Sequence, residues 1–195
     1  MRNILLCVVA ILLPTFALTQ AKPGIVIVRG KVSINGKAVQ HSDNIFPGET
    51  LKTGSNGAAS ITGEGVNASV GNSASLVYGN NSVNLDCGRV QVATLKGFTV
   101  EVHSITASPT ASGLTKFEVS QNPRVLSIHA LEGPIAIGDG QQRSTLNPGE
   151  KRDFQRGAPC AVAAPMSPLV PATIFGASTF PIWLTYGRSI TPSKP

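Results

Sequence analysis

The chain has 195 residues, of which 42% are hydrophobic, 13% charged and 5% aromatic, and its formal net charge is +6. Its basic residues are dispersed and are not interleaved with aromatic residues, which argues against a protein that binds nucleic acid. The 20 glycines and 14 prolines, with abundant valine, isoleucine and threonine, favour short strands over helices. This length suits one domain with appendages.

Residues 1–21 have the features of a secretory signal peptide. Arg2 precedes an apolar run over residues 4–13, and Thr19-Gln20-Ala21 supplies small residues at the cleavage site. The apolar run is short for a membrane span, which needs about 20 residues. We therefore expect cleavage before Lys22 and export to the periplasm or cell envelope, with an uncleaved anchor as the alternative.

From residue 22 onward, short runs of alternating apolar and polar residues predict β-strands. Turn signals separate these runs at intervals of about 8–12 residues, a spacing typical of an all-β sandwich, barrel or roll. The Ser/Thr/Pro/Gly-rich segment 104–113 is an exception, and we expect a crossing loop there. Strands are predicted at 25–28, 32–34, 37–39, 50–51, 58–61, 66–70, 74–78, 82–86, 88–92, 98–102, 117–119, 125–128 and 135–137.

Several turn sequences connect these strands. Pro47-Gly48 fits the centre of a type II turn, in which Gly48 has a positive φ. Asn35-Gly36 predicts a hairpin, and so does the run 53–57, in which Asn56-Gly57 is the strongest turn signal. Pro-Gly-Glu recurs at residues 148–150, which indicates equivalent turns at the two ends of one domain. The spacing of these echoes is too irregular to predict a solenoid of fixed repeat.

These patterns predict an all-β fold, a single sandwich or jelly-roll-like domain of short antiparallel strands over residues 22–156. An Ala/Pro-rich linker follows at 157–168. Residues 169–187 are apolar and uncharged, and residues 188–195 form a basic tail. The apolar segment is near the minimum length for a membrane helix, although it contains two prolines. It is therefore either a transmembrane segment with the tail inside or an extended segment that packs on the β domain.

No catalytic or metal-binding constellation is evident. His41, His103 and His129 are scattered and lack the spacing of metal ligands. Asp43, Glu49 and Glu150 lie at or beside turns. Paired carboxylates can perform acid–base catalysis, but acceptors beside turns more commonly bind turn amides. We favour the second role, and we expect no catalytic residues, no metal site and no cofactor.

Two cysteines remain after signal cleavage, Cys87 and Cys160. In an exported protein such a pair can form a disulfide. Alternatively, Cys87 is a small buried apolar residue, because it shares strand parity with Val83 and Leu85. Cys7 lies inside the apolar run of the signal peptide, and we do not interpret it as a lipidation site.

An ordered set of motifs over residues 24–153 resembles the signature of FecR-like domains, a family named for the ferric-citrate regulator. The motifs in this set are Pro47-Gly48-Glu49-Thr50-Leu51-Lys52-Thr53-Gly54, Gly57-Ala58-Ala59, Gly88-Arg89-Val90, Ser108-Pro109-Thr110-Ala111, Phe117-Glu118-Val119, Leu131-Glu132-Gly133 and the closing turn 146–150. The chain departs from the family at residues 112–116, where Gly-x-Arg-Gly-Thr is usual. It also begins with a signal peptide and not with the cytoplasmic sigma-factor-binding segment of the regulators. The resemblance therefore extends to the extracytoplasmic domain alone.

The resemblance implies a non-enzymatic interaction or sensing module in the bacterial cell envelope. Its expected partner is an envelope protein or a glycan, with membrane anchoring through residues 169–187 as a further expectation. Two alternatives remain open. One is a structural envelope protein without a ligand, and the other is a carbohydrate-active enzyme that uses turn carboxylates.

Overall fold

The computed structural model describes residues 22–140 and 142–155. The predicted signal peptide, linker, apolar segment and basic tail lie outside this part of the chain. The described residues form strands and turns without a helix, and none of them belongs to a helix that could cross a membrane. The strands are β1 (Gly24–Arg29), β2 (Val32–Ile34), β3 (Lys37–Val39), β4 (Ser42–Ile45), β5 (Thr50–Thr53), β6 (Ala58–Gly63), β7 (Val66–Val70), β8 (Ser75–Tyr78), β9 (Ser82–Thr94), β10 (Thr99–Val102), β11 (Ile105–Pro109), β12 (Thr115–Gln121), β13 (Val125–Glu132), β14 (Ile135–Asp139), β15 (Gln142–Leu146) and β16 (Lys151–Gln155).

The predicted all-β class is confirmed. The first sheet has the order β4-β1-β6-β7-β9-β12-β13-β16. The second has the order β3-β2-β5-β8-β9-β10-β11-β14-β15. Strand pairs are antiparallel except for β9 with β10, which run parallel. The parallel pair is a departure from the purely antiparallel arrangement expected from the sequence.

Strand β9 belongs to both sheets. Its 13 residues begin beside β8 in the second sheet and end beside β7 and β12 in the first. The change of sheet occurs at Gly88, which has φ 95°. A Cβ atom there would lie 2.5 Å from Cα of Ala74. Only glycine meets both requirements, because other residues disfavour positive φ and carry a Cβ.

The core lies between the inward faces of the two sheets. One row of paired residues in the first sheet is Val26, Ile61, Ala68, Val92 and Phe117, and all five are at most 2% exposed. Their alternation with exposed residues is the signal that predicted the strands. Burial of each large apolar side chain contributes roughly 1.5–3 kcal/mol, so truncation of the fully buried Phe117 to alanine would cost about 3–5 kcal/mol.

The predicted hairpin over residues 53–57 is wrong. Strand β5 lies in the second sheet and β6 in the first, and the two do not pair with each other. The connection crosses between the sheets and stacks on the β1–β2 connection, where Lys31 O accepts a 2.8 Å hydrogen bond from Gly54 N. A Cβ on Gly57 would lie 2.0 Å from Lys31 O. Gly57 is therefore required for close backbone approach and not for a hairpin turn.

The crossing loop expected at 104–113 is also wrong over half of its length. Strand β11 occupies Ile105–Pro109 and pairs with β10 and β14. Ile105 and Ala107 are each 1% exposed. The segment is an alternating strand whose outward residues are Thr and Ser, and its polar composition obscured the alternation. Strands β4, β15 and β16 were likewise not predicted, because few of their residues are apolar.

Other turn predictions are confirmed. Asn35 and Gly36 both have positive φ, 50° and 80°, as a type I′ hairpin between β2 and β3 requires. Gly48 has φ 91° and Gly149 has φ 86°. Each glycine donates its N–H to a strand carbonyl at 2.7 Å, Gly48 to Tyr78 O and Gly149 to Ala130 O. The two Pro-Gly-Glu sequences therefore form equivalent turns.

Candidate functional site

A cleft of about 560 Å³ opens at the level where β6 turns into β7 and β8 turns into β9. We call it the Tyr78 cleft. Its volume is within the usual range of ligand sites, roughly 300–1,000 Å³. Its polar lining consists of Lys22, Glu64, Tyr78, Asn80, Asn81 and Lys96. Its apolar lining consists of Pro23, Ile61, Val66, Ala68 and Phe98.

Three charged residues form the rim of the cleft. Glu64 lies in the β6–β7 turn and pairs with Lys22 Nζ at 2.6 Å and with Lys96 Nζ. Hydrogen bonds from Lys22 and Lys96, and then their positive charges, lower the pKa of Glu64 to about 2. The same hydrogen bond raises the pKa of Lys22. At neutral pH the rim thus carries two cations and one anion.

Backbone hydrogen bonds hold both sides of the cleft in place. Leu95 N donates to Gly65 O at 2.9 Å, which ties the β9–β10 connection to the β6–β7 turn. Thr94, which is 1% exposed, accepts a 3.1 Å hydrogen bond from Lys96 N through its hydroxyl oxygen. Thr99 N donates to Asn81 O at 3.0 Å. The Glu64 and Lys96 side chains therefore project from turns whose backbone is fixed by the sheets.

Tyr78 is the main polar group of the floor. It ends β8, and its side chain is buried, with 5% of the residue exposed. Burial raises the pKa of its hydroxyl. The hydroxyl lies beside Gly24, where an added Cβ would be 3.0 Å from it. Within the described residues this hydroxyl makes no hydrogen bond, although a buried tyrosine usually has a partner. It is thus a donor and acceptor available to a molecule in the cleft.

This arrangement can bind but shows no nucleophile activated by a base. The two ammonium groups supply hydrogen-bond donors, and the Asn80 and Asn81 amides supply both donors and acceptors. Phe98, which is 3% exposed, and the aliphatic residues supply an apolar floor. Polar and apolar residues thus line the cleft in nearly equal numbers, so it is more polar than most small-molecule sites, whose lining is mainly apolar.

The carboxylates considered from the sequence bind their own turns. Glu49 accepts a 2.8 Å hydrogen bond from Phe46 N, and Glu150 accepts one of 2.8 Å from Asn147 N. Asp43 accepts a 2.8 Å hydrogen bond from Asn44 N. The prediction that Glu49 and Glu150 satisfy turn amides is confirmed. None of these three residues lines the Tyr78 cleft.

The histidines are also outside the cleft. His41 and His103 are exposed, and His129 is half-buried on the outer face of β13. In residues 22–140 and 142–155, no group of three His, Cys, Asp or Glu side chains is arranged to hold a metal ion.

Cys87 is 7% exposed and lies on the inward side of β9 with Val83 and Leu85, as its strand parity predicted. It is also part of a disulfide. Its partner cysteine is not among the described residues, so the predicted pairing with Cys160 stays a prediction.

The sequence did not predict the cleft. Its polar residues come from four separate segments of the chain between residues 22 and 96, and none of them forms a recognisable motif. One usable signal was present. Tyr78 is one of only two tyrosines in the chain, and it lies at an inward strand position directly before a Gly-Asn-Asn turn, where its hydroxyl can reach the end of the sandwich.

No family model matches the sequence, and no curated protein matches it. Among solved structures, one described as a candidate anti-sigma factor from Parabacteroides distasonis is similar, with a TM-score of 0.46 and 11% sequence identity. The similarity covers 57% of this chain and 60% of that one. The chain thus spans about 60% of the length of that structure, and a match at this level carries no argument about function.

Proposed function

We propose that the chain is an exported, non-enzymatic interaction or sensing module of the FecR-like type. It holds a protein or glycan partner in the bacterial cell envelope. The observation that carries this proposal is the Tyr78 cleft, a space of about 560 Å³ lined by a tyrosine that is 5% exposed and whose hydroxyl makes no hydrogen bond with any described residue.

Two further observations support the proposal. The Pro-Gly-Glu turn at residues 47–49 and the closing turn at residues 148–150 are part of the FecR-like motif set, and in both the glutamate carboxylate accepts a hydrogen bond from the backbone N–H three residues earlier. The disulfide at Cys87 suits an oxidising compartment such as the periplasm. A membrane anchor at residues 169–187 would keep the domain at the envelope.

The alternatives make different predictions. A structural envelope protein needs no cleft with free polar groups. An enzyme acting through turn carboxylates needs those carboxylates free, whereas Glu49 and Glu150 are engaged by backbone N–H groups.

Fractionation and envelope binding test the proposal together. Full-length protein should lose residues 1–21 on export and begin at Lys22, and purified mature protein should bind isolated envelopes saturably. Replacement of Tyr78 by phenylalanine should weaken that binding while the melting temperature stays the same. A cytoplasmic protein that retains Met1 would contradict export. Equal, non-saturable binding of both proteins would favour the structural alternative, and release of sugar reducing ends would favour the enzyme.

A further inference from the structure

We propose that the ligand of the Tyr78 cleft is an acidic sugar, meaning a sugar unit that carries a carboxylate. This inference rests on the proposed function and narrows its partner to one chemical class. It depends on four features of the cleft: the excess of positive charge at the rim, the Tyr78 hydroxyl, which makes no hydrogen bond among the described residues, the neighbouring amides, and the apolar floor.

The rim charges favour an anion. Lys22 and Lys96 share the single carboxylate of Glu64, and Tyr78 is the only other titratable side chain among the lining residues. The side chains of the cleft therefore have a net charge of about +1 at neutral pH. Each ammonium has three donors, and among the described residues each uses one of them on Glu64. Donors thus remain for an incoming carboxylate.

The floor and the turn favour a polyhydroxylated ring. The Tyr78 hydroxyl can donate and accept, and the amides of Asn80 and Asn81 can each do both. Among the residues that the structure describes, these two amides bind no other side chain or backbone group. Both asparagines are exposed at the rim. A sugar hydroxyl likewise donates and accepts, whereas a simple anion only accepts and would leave the acceptors of these groups unused.

The apolar floor accounts for the remaining surface of a sugar ring. Phe98, Ile61 and Val66 lie under the polar rim and can contact the C–H face of a pyranose. The floor can stabilise a ligand only by burying apolar surface. A free inorganic anion has no apolar surface, so it would gain no affinity from this floor.

Glu64 distinguishes this proposal from a simple structural role of the rim. A ligand carboxylate and the Glu64 carboxylate compete for the same two ammonium groups. Replacement of Glu64 by glutamine should therefore increase affinity for an acidic sugar. If Glu64 were needed only to shape the rim, the same replacement would decrease it.

The experiment is calorimetric titration of purified mature protein, residues 22–195, with trigalacturonate and, in parallel, with the neutral maltotriose. We expect trigalacturonate to bind at least about tenfold more tightly at low salt, and the difference to shrink at high salt. Lys96→Gln should weaken trigalacturonate binding about tenfold, and E64Q should strengthen it. Lys116→Gln is the matched control, because Lys116 pairs with Glu132 at 2.6 Å outside the cleft, and it should change neither affinity.

Y78F separates binding from folding. This substitution should weaken the binding of both sugars without lowering the melting temperature of the protein. Equal affinity for the two sugars, no binding of trigalacturonate, or weaker binding by E64Q would overturn the acidic-sugar proposal. If mature protein still binds envelopes in a Tyr78-dependent manner while trigalacturonate does not bind, the acidic sugar is wrong and the proposed function stands. If envelope binding is absent as well, both are wrong.

Discussion

The carboxylate of Glu49 accepts a 2.8 Å hydrogen bond from the backbone N–H of Phe46. Glu150 makes the same contact, also at 2.8 Å, with the N–H of Asn147. In both turns the glutamate N–H returns a 3.0 Å hydrogen bond to the carbonyl of that same residue. A single short sequence, Pro-Gly-Glu, thus builds the same closed turn twice, and the glutamate is part of the architecture.

The two glutamates should nevertheless differ in their contributions to stability. Glu49 also accepts a 2.9 Å hydrogen bond from the Asn35 side chain, whose oxygen accepts one from Thr50 N. Among the described residues Glu150 makes no equivalent side-chain contact. We expect Glu150→Ala to cost roughly 1 kcal/mol and Glu49→Ala more, about 2 kcal/mol. Chemical denaturation of both variants measures this, and equal costs would show that the Asn35 contact contributes nothing.

Gly48 should tolerate no β-branched residue. Its φ is 91°, and a Cβ atom there would meet nothing within 4 Å. The expected cost of Gly48→Val, about 1–3 kcal/mol, is therefore purely conformational. Gly97 is a matched control, because it also has open space but lacks a positive φ. The same substitution at Gly97 should cost less. An unchanged melting temperature for Gly48→Val would reject the type II turn.

The glycines of two Asn-Gly dipeptides should differ in how much stability is lost when each is replaced by asparagine. Gly36 is in a hairpin with φ 80° and open space, and asparagine tolerates that conformation. Gly57 is in a crossing between sheets, where a Cβ would lie 2.0 Å from Lys31 O. Gly36→Asn should leave stability within about 0.5 kcal/mol, whereas Gly57→Asn should cost at least about 1–3 kcal/mol. Thermal melting compares them, and equal effects would mean that residues 53–57 form a hairpin after all.

The two Asn-Gly dipeptides show which features of the fold could be predicted from the sequence and which could not. Strand positions and the all-β class followed from alternation, as with Val26 and Ile61. The sheet in which each strand lies could not be predicted from the sequence, because a hairpin and a crossing between sheets use the same turn residues. The cleft could not be predicted from the sequence for a related reason. Lys22, Glu64 and Lys96 meet only once the crossings have brought their segments together, and no spacing in the chain encodes that.

The Glu64 carboxyl group at the rim of the cleft should titrate at unusually low pH. The hydrogen bond from Lys22 is the largest cause of the lowered pKa of Glu64, which is about 2, followed by the hydrogen bond from Lys96. A lowered pKa means that the ion pairs favour the folded state above the ordinary pKa near 4.5 and that this contribution is lost as pH falls towards 2. Because the group is exposed, the effect on stability is small, so NMR titration of the carboxyl carbon is the better measurement. Lys22→Gln should raise the midpoint more than Lys96→Gln does, and a wild-type midpoint near the ordinary value would show that the rim is not paired in solution.

Cys87 should be protected from alkylation until the protein is reduced, because it is part of a disulfide. We predict that its partner is Cys160, since the predicted signal cleavage would remove Cys7. Peptide mapping by mass spectrometry without reduction identifies the linked peptides. Replacement of both cysteines by serine should cost about 2–4 kcal/mol. A free thiol at residue 87 in exported protein would reject the pairing.

The central claim is that the Tyr78 cleft is the surface that meets a partner in the envelope. A photo-crosslinking amino acid at Asn80, on the rim of the cleft, tests it most directly in living cells. The matched control is the same amino acid at Asn122, which is also exposed but does not line the cleft. The account predicts a discrete adduct from position 80, suppressed by Y78F, and none from position 122. No adduct from position 80, or equal adducts from both positions, would contradict it.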